Sequence, residues 1–236
     1  MQSTPWYKQV GFYLSLVAIA LAGYAVMREQ RAFKLAERED FRQAIIGLQE
    51  SMAAGPGNSA ADRSSRVKAW IYFDTAHRLE PSLAKEISLV DYLILANFAY
   101  SHSDLDAADG YIDKALTKIE HRHDSTECCL ARMGIAHLQF KHYPRTKLEK
   151  GREYYQTALE EARKLGQGQD VFVELSILQE AALDEYSTGH AAEGDALAKQ
   201  ADELLKSQSL PERFVSDWHT AFEHAAIEAK VQGKLL

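Results

Sequence analysis

His121, His123, Cys128 and Cys129 stand close together in the run EHRHDSTECC. Imidazole nitrogen with thiolate sulfur is a donor set that zinc and copper favour, so His121, His123 and Cys128 would suit a metal-binding protein or a metal-dependent enzyme. The same run also reads as the end of one helix and the start of the next, with Ser125 or Thr126 as N-cap and Glu127 just after it. On such a helix Cys128 and Cys129 would project about 100° apart, which opposes binding of one ion by both thiols. Asp104, Asp106 and Asp109 are acidic enough for a cation, but the glycine and terminal glutamate of a calcium loop are missing. They suit a turn and a helix first turn, where the dipole favours carboxylates. His219 and His224 lie five apart on a predicted helix and share no face, the spacing of ordinary surface or packing histidines. LGQGQD has two glycines but no following Lys-Ser/Thr, so it reads as a turn between helices. Phosphate-loop, dinucleotide, zinc-protease and nucleophile-elbow signatures do not occur. These readings predict no catalytic residue, no cofactor and no resident metal; the chain is not expected to be an enzyme.

The elements carrying these residues are helical. The chain has 236 residues, five prolines and 46% hydrophobic content, enough for one sizeable domain or two small ones. Ala, Leu, Glu, Lys and Gln abound while alternating β-branched runs are few, which predicts an all-α fold. A formal net charge of -7 with no basic run in the body excludes general attraction to phosphate backbones, so nucleic acid is not an expected partner. Two adjacent cysteines do not make a disulfide framework.

Residues 10–27 form an uncharged run of eighteen, about 27 Å long as a helix and close to the thickness of a bilayer's hydrocarbon core. Trp6 and Tyr7 precede it, Tyr24 lies near its end, and Lys8 and Arg28 close its sides. The expectation is a single transmembrane anchor over 1–27, with the lipid bilayer contacted through 10–27. The competing reading is a cleaved secretory signal ending at residue 22, since Ala20-Leu21-Ala22 fits the small-residue cleavage pattern. Arg28, Arg31, Lys34, Arg38 and Arg42 follow the run, so retention of positive charge favours the C-terminal body on the cytoplasmic side; the periplasmic side is the alternative. Residues 28–52 are amphipathic and predict a juxtamembrane helix, and 53–65, rich in Gly, Pro, Asn and Ser, a linker.

From residue 66 small residues recur. Tyr92, Leu95, Ala96 and Ala99, then a turn at Ser103-Asp104, then Ala108, Ile112 and Ala115 make one helical hairpin with small groups at its close crossing. Ala69, Phe73, Ala76 and Pro81 match the second helix of such a unit. Leu130, Met133, Gly134, His137, Gly151, Tyr155 and Ala158 give another unit; Leu178, Ala181, Ala182, Gly189, Gly194, Ala198 and Ala201 give a further one. The last second-helix alanines, at 76, 115, 158 and 201, are separated by 39, 43 and 43 residues. This pattern resembles the tetratricopeptide repeat family over about 66–207, although the family period is 34 and its Trp and Gly are mostly replaced here. An Ala-rich antiparallel bundle would give similar spacings. The resemblance implies a right-handed α-solenoid, and Phe214, Trp218, Phe222, Ala225, Ala226 and Ala229 predict a capping helix within 208–236.

The resemblance also implies a groove lined by the first helices, with Leu93, Asn97 and Tyr100, then Ala131, Ile135 and Gln139, then Gln179, Leu183 and Tyr186 towards it. Asn97, Tyr100, Gln139, Gln179 and Tyr186 are the partner-groove candidates; packing against the neighbouring repeat is the alternative role. The basic clamp of chaperone-binding members is absent from these positions. The expected function is a membrane-anchored, single-pass scaffold or assembly subunit of a larger membrane complex, whose partners are other proteins. The layout is similar to that of mitochondrial import receptors and bacterial translocon-associated repeat proteins. The alternatives are a secreted or periplasmic repeat protein and a metal-binding protein using the His121, His123 and Cys128 cluster.

Overall fold

Long runs of good helix formers, broken at Gly, Ser, Asp and Pro, leave the backbone one economical way to satisfy its hydrogen bonds. The computed structural model describes residues 6–53, 60–120, 125–141, 147–165 and 170–234, with side chains described for 27–53, 64–120, 125–141, 147–165 and 171–234. Among the described residues there are nine helices and no strand: α1 (Trp6–Ala53), α2 (Ala60–Leu83), α3 (Leu89–Ser101), α4 (Leu105–Glu120), α5 (Thr126–Lys141), α6 (Leu148–Ala162), α7 (Asp170–Ser187), α8 (Ala191–Ser207) and α9 (Glu212–Gly233). The protein is all-α, and it divides into two compact units, 1–87 and 88–236.

In the first unit α1 is a single helix of 48 residues, about 72 Å long. It runs without a break through the expected boundary at 27/28. Among the described residues no helix is long and apolar enough to cross a membrane. The expected span at 10–27 falls almost wholly on 6–26, which are helical but whose side chains lie outside the described set. Phe41, Ala44, Ile45 and Leu48 of α1 are buried, as are Ala69, Phe73 and Ala76 of α2. The two helices pack antiparallel, and the Arg38–Glu86 ion pair ties α1 to the turn that follows α2. Ser82 Oγ also donates to Glu37 Oε2 at 3.4 Å. Two features of this unit differ from the sequence reading. The last part of the expected juxtamembrane stalk is the first helix of a hairpin, because its apolar stripe is covered by α2. The expected linker 53–65 is mostly helix, since α2 begins at Ala60; its residues 54–59 lie outside the described set.

The second unit begins with a capping box. Ser88 Oγ accepts from the Asp91 N–H at 3.1 Å, and Asp91 Oδ2 accepts from the Ser88 N–H at 2.9 Å. Three hairpins follow, α3–α4, α5–α6 and α7–α8. Each first helix packs on the next, α3 on α5 and α5 on α7, and α9 continues the series on α7. The second helices start at Leu105, Leu148 and Ala191, 43 residues apart each time. Ala115, Ala158 and Ala201 hold the same spacing and are completely buried. Ala108, Gly151 and Gly194 form a parallel series at that interval. A Cβ at Gly151 would lie 2.6 Å from the Phe140 ring, and one at Gly194 2.4 Å from the Tyr186 ring. Small residues at these points let an aromatic ring lie flat against the partner helix. α9 buries Phe222, Ala226 and Ala229 against Ala182 and Tyr186. Its end seats so closely that a Cβ at Gly233 would fall 2.1 Å from the Tyr186 carbonyl oxygen.

Candidate functional site

The polar groups of the second unit gather where one hairpin meets the next. α3 reaches Tyr100 in its last turn and α7 reaches Tyr186 in its own, and both rings are buried. A buried phenol needs an acceptor. Tyr100 donates to Asp109 Oδ1 and Tyr186 to Asp195 Oδ1, each at 2.8 Å and each nine residues ahead on the second helix. A lysine further along the chain closes each clasp: Lys147 Nζ, at the N-cap of α6, reaches Asp109 Oδ2 at 2.9 Å, and Lys230 Nζ of α9 reaches Asp195 Oδ1 at 3.1 Å. Lys230 also lies 4.1 Å from the centre of the Tyr186 ring. Three residues past each tyrosine the backbone turns through positive φ, at Ser103 (64°) and Gly189 (85°). Tyrosine, turn and aspartate all recur at an interval of 86 residues. Burial, reinforced by the carboxylate, raises both phenol pKa values. Burial opposes ionisation of Asp109, but Lys147 and Tyr100 outweigh it and hold the carboxyl below its usual range. Tyr186 and then Lys230 do the same for Asp195.

A different network joins the second hairpin to the third. His137 Nδ1 of α5 faces Glu180 Oε1 at 2.8 Å, with Asp184 Oδ1 at 2.9 Å and Oδ2 at 3.1 Å, both acidic residues lying on α7. Tyr155 of α6 donates to Asp184 Oδ2 at 2.5 Å. Burial disfavours charge on His137, but its hydrogen bonds to Asp184 and Glu180 prevail and carry its pKa up to about 9. Burial pushes the Asp184 carboxyl up despite His137 and Tyr155. The hydrogen bond from His137 draws Glu180 down against burial. Burial and then the Asp184 charge hold the Tyr155 phenol well above its ordinary value. A recess of about 200 Å³ opens over this group, bordered also by Lys141 and by Glu228 and Gln232 of α9. Arg152 of α6 adds a two-pronged bond to the buried Glu185 of α7, at 2.7 and 2.8 Å. Between α6, α7 and α8 lies a cleft of about 430 Å³ with Tyr155, Leu159, Ala181 and Leu197 among its lining and Arg152 and Glu193 also bordering it.

Of the five groove candidates, Tyr100, Gln139 and Tyr186 are buried. Their polar groups are engaged inside the protein, with Gln139 Nε2 donating to the Tyr100 hydroxyl at 3.4 Å. Tyr100 and Tyr186 bond within their own hairpins, and Gln139 reaches across to the neighbouring one. Asn97 and Gln179 are half-buried. Leu93 is within 3.4 Å of where a Gly134 Cβ would stand, and Ala131 and Ile135 are buried, so this face of α3 and α5 is an inter-hairpin contact.

In the His/Cys run, His121 and His123 lie outside the described residues. Cys128 and Cys129 are buried and form no disulfide. Burial, with the nearby charge of Glu161, pushes the Cys129 thiol up to about 11, which disfavours the thiolate a metal requires. Ser125 instead caps α5, its Oγ accepting from the Cys128 N–H at 3.2 Å. Asp104 caps α4 in the same way, accepting from the Ala107 N–H at 3.2 Å. His219 pairs with Asp202 at 3.5 Å, and His224 with Glu228 at 3.8 Å, both near the surface.

The His137, Glu180 and Asp184 set was not singled out by sequence. Its members are separated by 43 and 47 residues, and only the alignment of successive first helices brings them together. The near-exact stride of the repeats is the one signal that points to such juxtapositions. No protein-family model, no curated protein and no solved structure matches this chain.

Proposed function

We propose that the chain is a non-enzymatic, membrane-anchored repeat scaffold, a tetratricopeptide-like right-handed α-solenoid that holds other proteins together within a membrane complex. The observation that carries this reading is the recurrence of tyrosine, turn and aspartate at 86 residues in hairpins stacked first helix on first helix. A set of hairpins that cannot bury their faces alone, closed by a terminal helix, is the arrangement from which repeat proteins make extended binding surfaces. Exposed apolar groups support a protein partner: Val67, Trp70 and Ile71 lie at i, i+3 and i+4 on α2. Val90 and Leu130 stand exposed near the starts of α3 and α5. The membrane anchor rests on the uncharged run 10–27, and the cytoplasmic orientation on the basic residues after it.

Affinity purification in mild detergent with mass spectrometry, run in parallel on the full chain and on a chain lacking 1–27, tests the reading. The full chain is expected in the membrane fraction with specific membrane-protein partners, and the shortened chain is expected to leave that fraction. Recovery of the full chain without any specific membrane-protein partner would overturn the scaffold, and its recovery from the soluble fraction would overturn the anchor.

A further inference from the structure

We propose that His137, Glu180 and Asp184 form a binding site for a divalent zinc-class ion that pins the second hairpin to the third. Among the described residues theirs is the one His/Cys/Asp/Glu group of three whose donor atoms all lie within 4.8 Å of one another. The pairwise distances point beyond a simple ion pair. Three carboxylate oxygens converge on one imidazole nitrogen at 2.8, 2.9 and 3.1 Å, and that nitrogen carries a single proton to share among them. A dication placed between the donors draws on both carboxylates at once, while Asp184 Oδ2 keeps its bond from Tyr155. Tetrahedral zinc at 2.0–2.2 Å sets its ligands about 3.3–3.6 Å apart, so the imidazole nitrogen need move from the nearest oxygen of each carboxylate by roughly 0.4–0.8 Å.

The surroundings are those of a supported site. Tyr155 donates to the second oxygen of Asp184 at 2.5 Å and so fixes the direction of a carboxylate that is only 5% exposed. The recess of about 200 Å³ gives the ion an approach and leaves room for water to complete its shell. Charge closes as well. With His137 neutral, the carboxylates of Glu180 and Asp184 balance the two charges of the ion. One nitrogen with carboxylate oxygens selects zinc-class ions over magnesium or calcium, which take oxygen alone. Binding displaces the Nδ1 proton of His137 to solvent, one proton per ion.

The full chain in mild detergent, stripped with chelator and titrated with Co²⁺ as the spectroscopic probe, provides the test. The expected result is a visible cobalt band that saturates at one equivalent, lacks the near-ultraviolet thiolate charge-transfer band, and is displaced by one equivalent of Zn²⁺. Calorimetry of the Zn²⁺ titration in buffers of different ionisation heat should report release of about one proton. His137→Gln and Glu180→Gln, each checked for helical content by circular dichroism, should abolish the band. Tyr155→Phe should weaken binding roughly 10- to 100-fold. Absence of the band at equimolar cobalt, a thiolate charge-transfer band, or a band unchanged in a folded Glu180→Gln or His137→Gln protein would each overturn the proposal.

Discussion

Among the described residues, the first and third hairpins close on a tyrosine bonded to an aspartate, whereas in the second Phe140 lies against Gly151 and Arg152 stands one stride from both aspartates. The second hairpin has an internal tie of another kind, Arg132 Nε to Glu161 Oε2 at 2.9 Å, and a buried polar set at its border. His137 and Tyr155 both reach the buried Asp184 of the next hairpin, and Arg152 grips Glu185 beside it. One kind of hairpin is closed by a phenol–carboxylate bond and then tied by a surface lysine; the other combines an internal ion pair with buried polar bonds to its neighbour. The difference shows that a constant backbone stride does not require a constant chemistry.

Breaking the border should cost most. Asp184→Ala leaves the Tyr155 hydroxyl without its acceptor and His137 with Glu180 alone, an expected loss of about 3 kcal/mol in urea unfolding of the chelator-treated full chain. The wild-type border is also pH-dependent. The folded His137 pKa, about 9, lies above the unfolded value near 6.5, so its contribution is complete below about pH 6.5 and disappears as pH rises through about 9. Asp184→Ala should flatten that part of the stability profile, and an unchanged slope would locate the dependence elsewhere.

The clasps come next. Tyr100→Phe and Tyr186→Phe each remove a hydroxyl bonded to a carboxylate and should cost about 1.5 kcal/mol, read from thermal or urea midpoints. Phe140→Tyr sharpens the contrast in the opposite direction. It should also destabilise, by about 1–2 kcal/mol, because it places a hydroxyl where Phe140 is now buried in an apolar cluster. A gain on that substitution would show that the second hairpin has a latent acceptor.

The smallest effects belong to the turns. Ser103 holds a φ of 64° that side chains resist, so Ser103→Gly should stabilise by about 0.5 kcal/mol. Gly189 holds the equivalent position, and Gly189→Ala should destabilise by about 1 kcal/mol, its Cβ also lying 3.2 Å from the Gly233 carbonyl. Parallel melting curves of the two variants measure the pair, and equal signs would mean that the two turns are not equivalent.

Local chemistry made much of this architecture legible. Ala115, Ala158 and Ala201 announce tight crossings by their size and spacing alone, and Ser125 and Asp104 announce helix starts by their acceptor side chains. Composition misled at residues 53–65, where Gly and Pro at the start hide the Ala-rich opening of α2. It also obscured the role of the amphipathic stretch before them, since an apolar stripe does not say what will cover it. The His137–Asp184–Tyr155 network was illegible because its partners stand 29 and 47 residues apart, beyond the reach of any short motif. Tyr100, Gln139 and Tyr186 carry polar tips that suggest an exposed surface, yet each tip has a partner inside the protein.

The lysines that close the clasps follow their aspartates by 38 and 35 residues, Lys147 standing just before α6 of the second hairpin and Lys230 on α9. During synthesis the first hairpin therefore emerges from the ribosome with Asp109 still waiting for Lys147, a delay on the order of seconds. The third hairpin waits likewise for Lys230 near the end of α9. The clasps finish in the order in which the chain is made, and the terminal helix supplies the last ion pair.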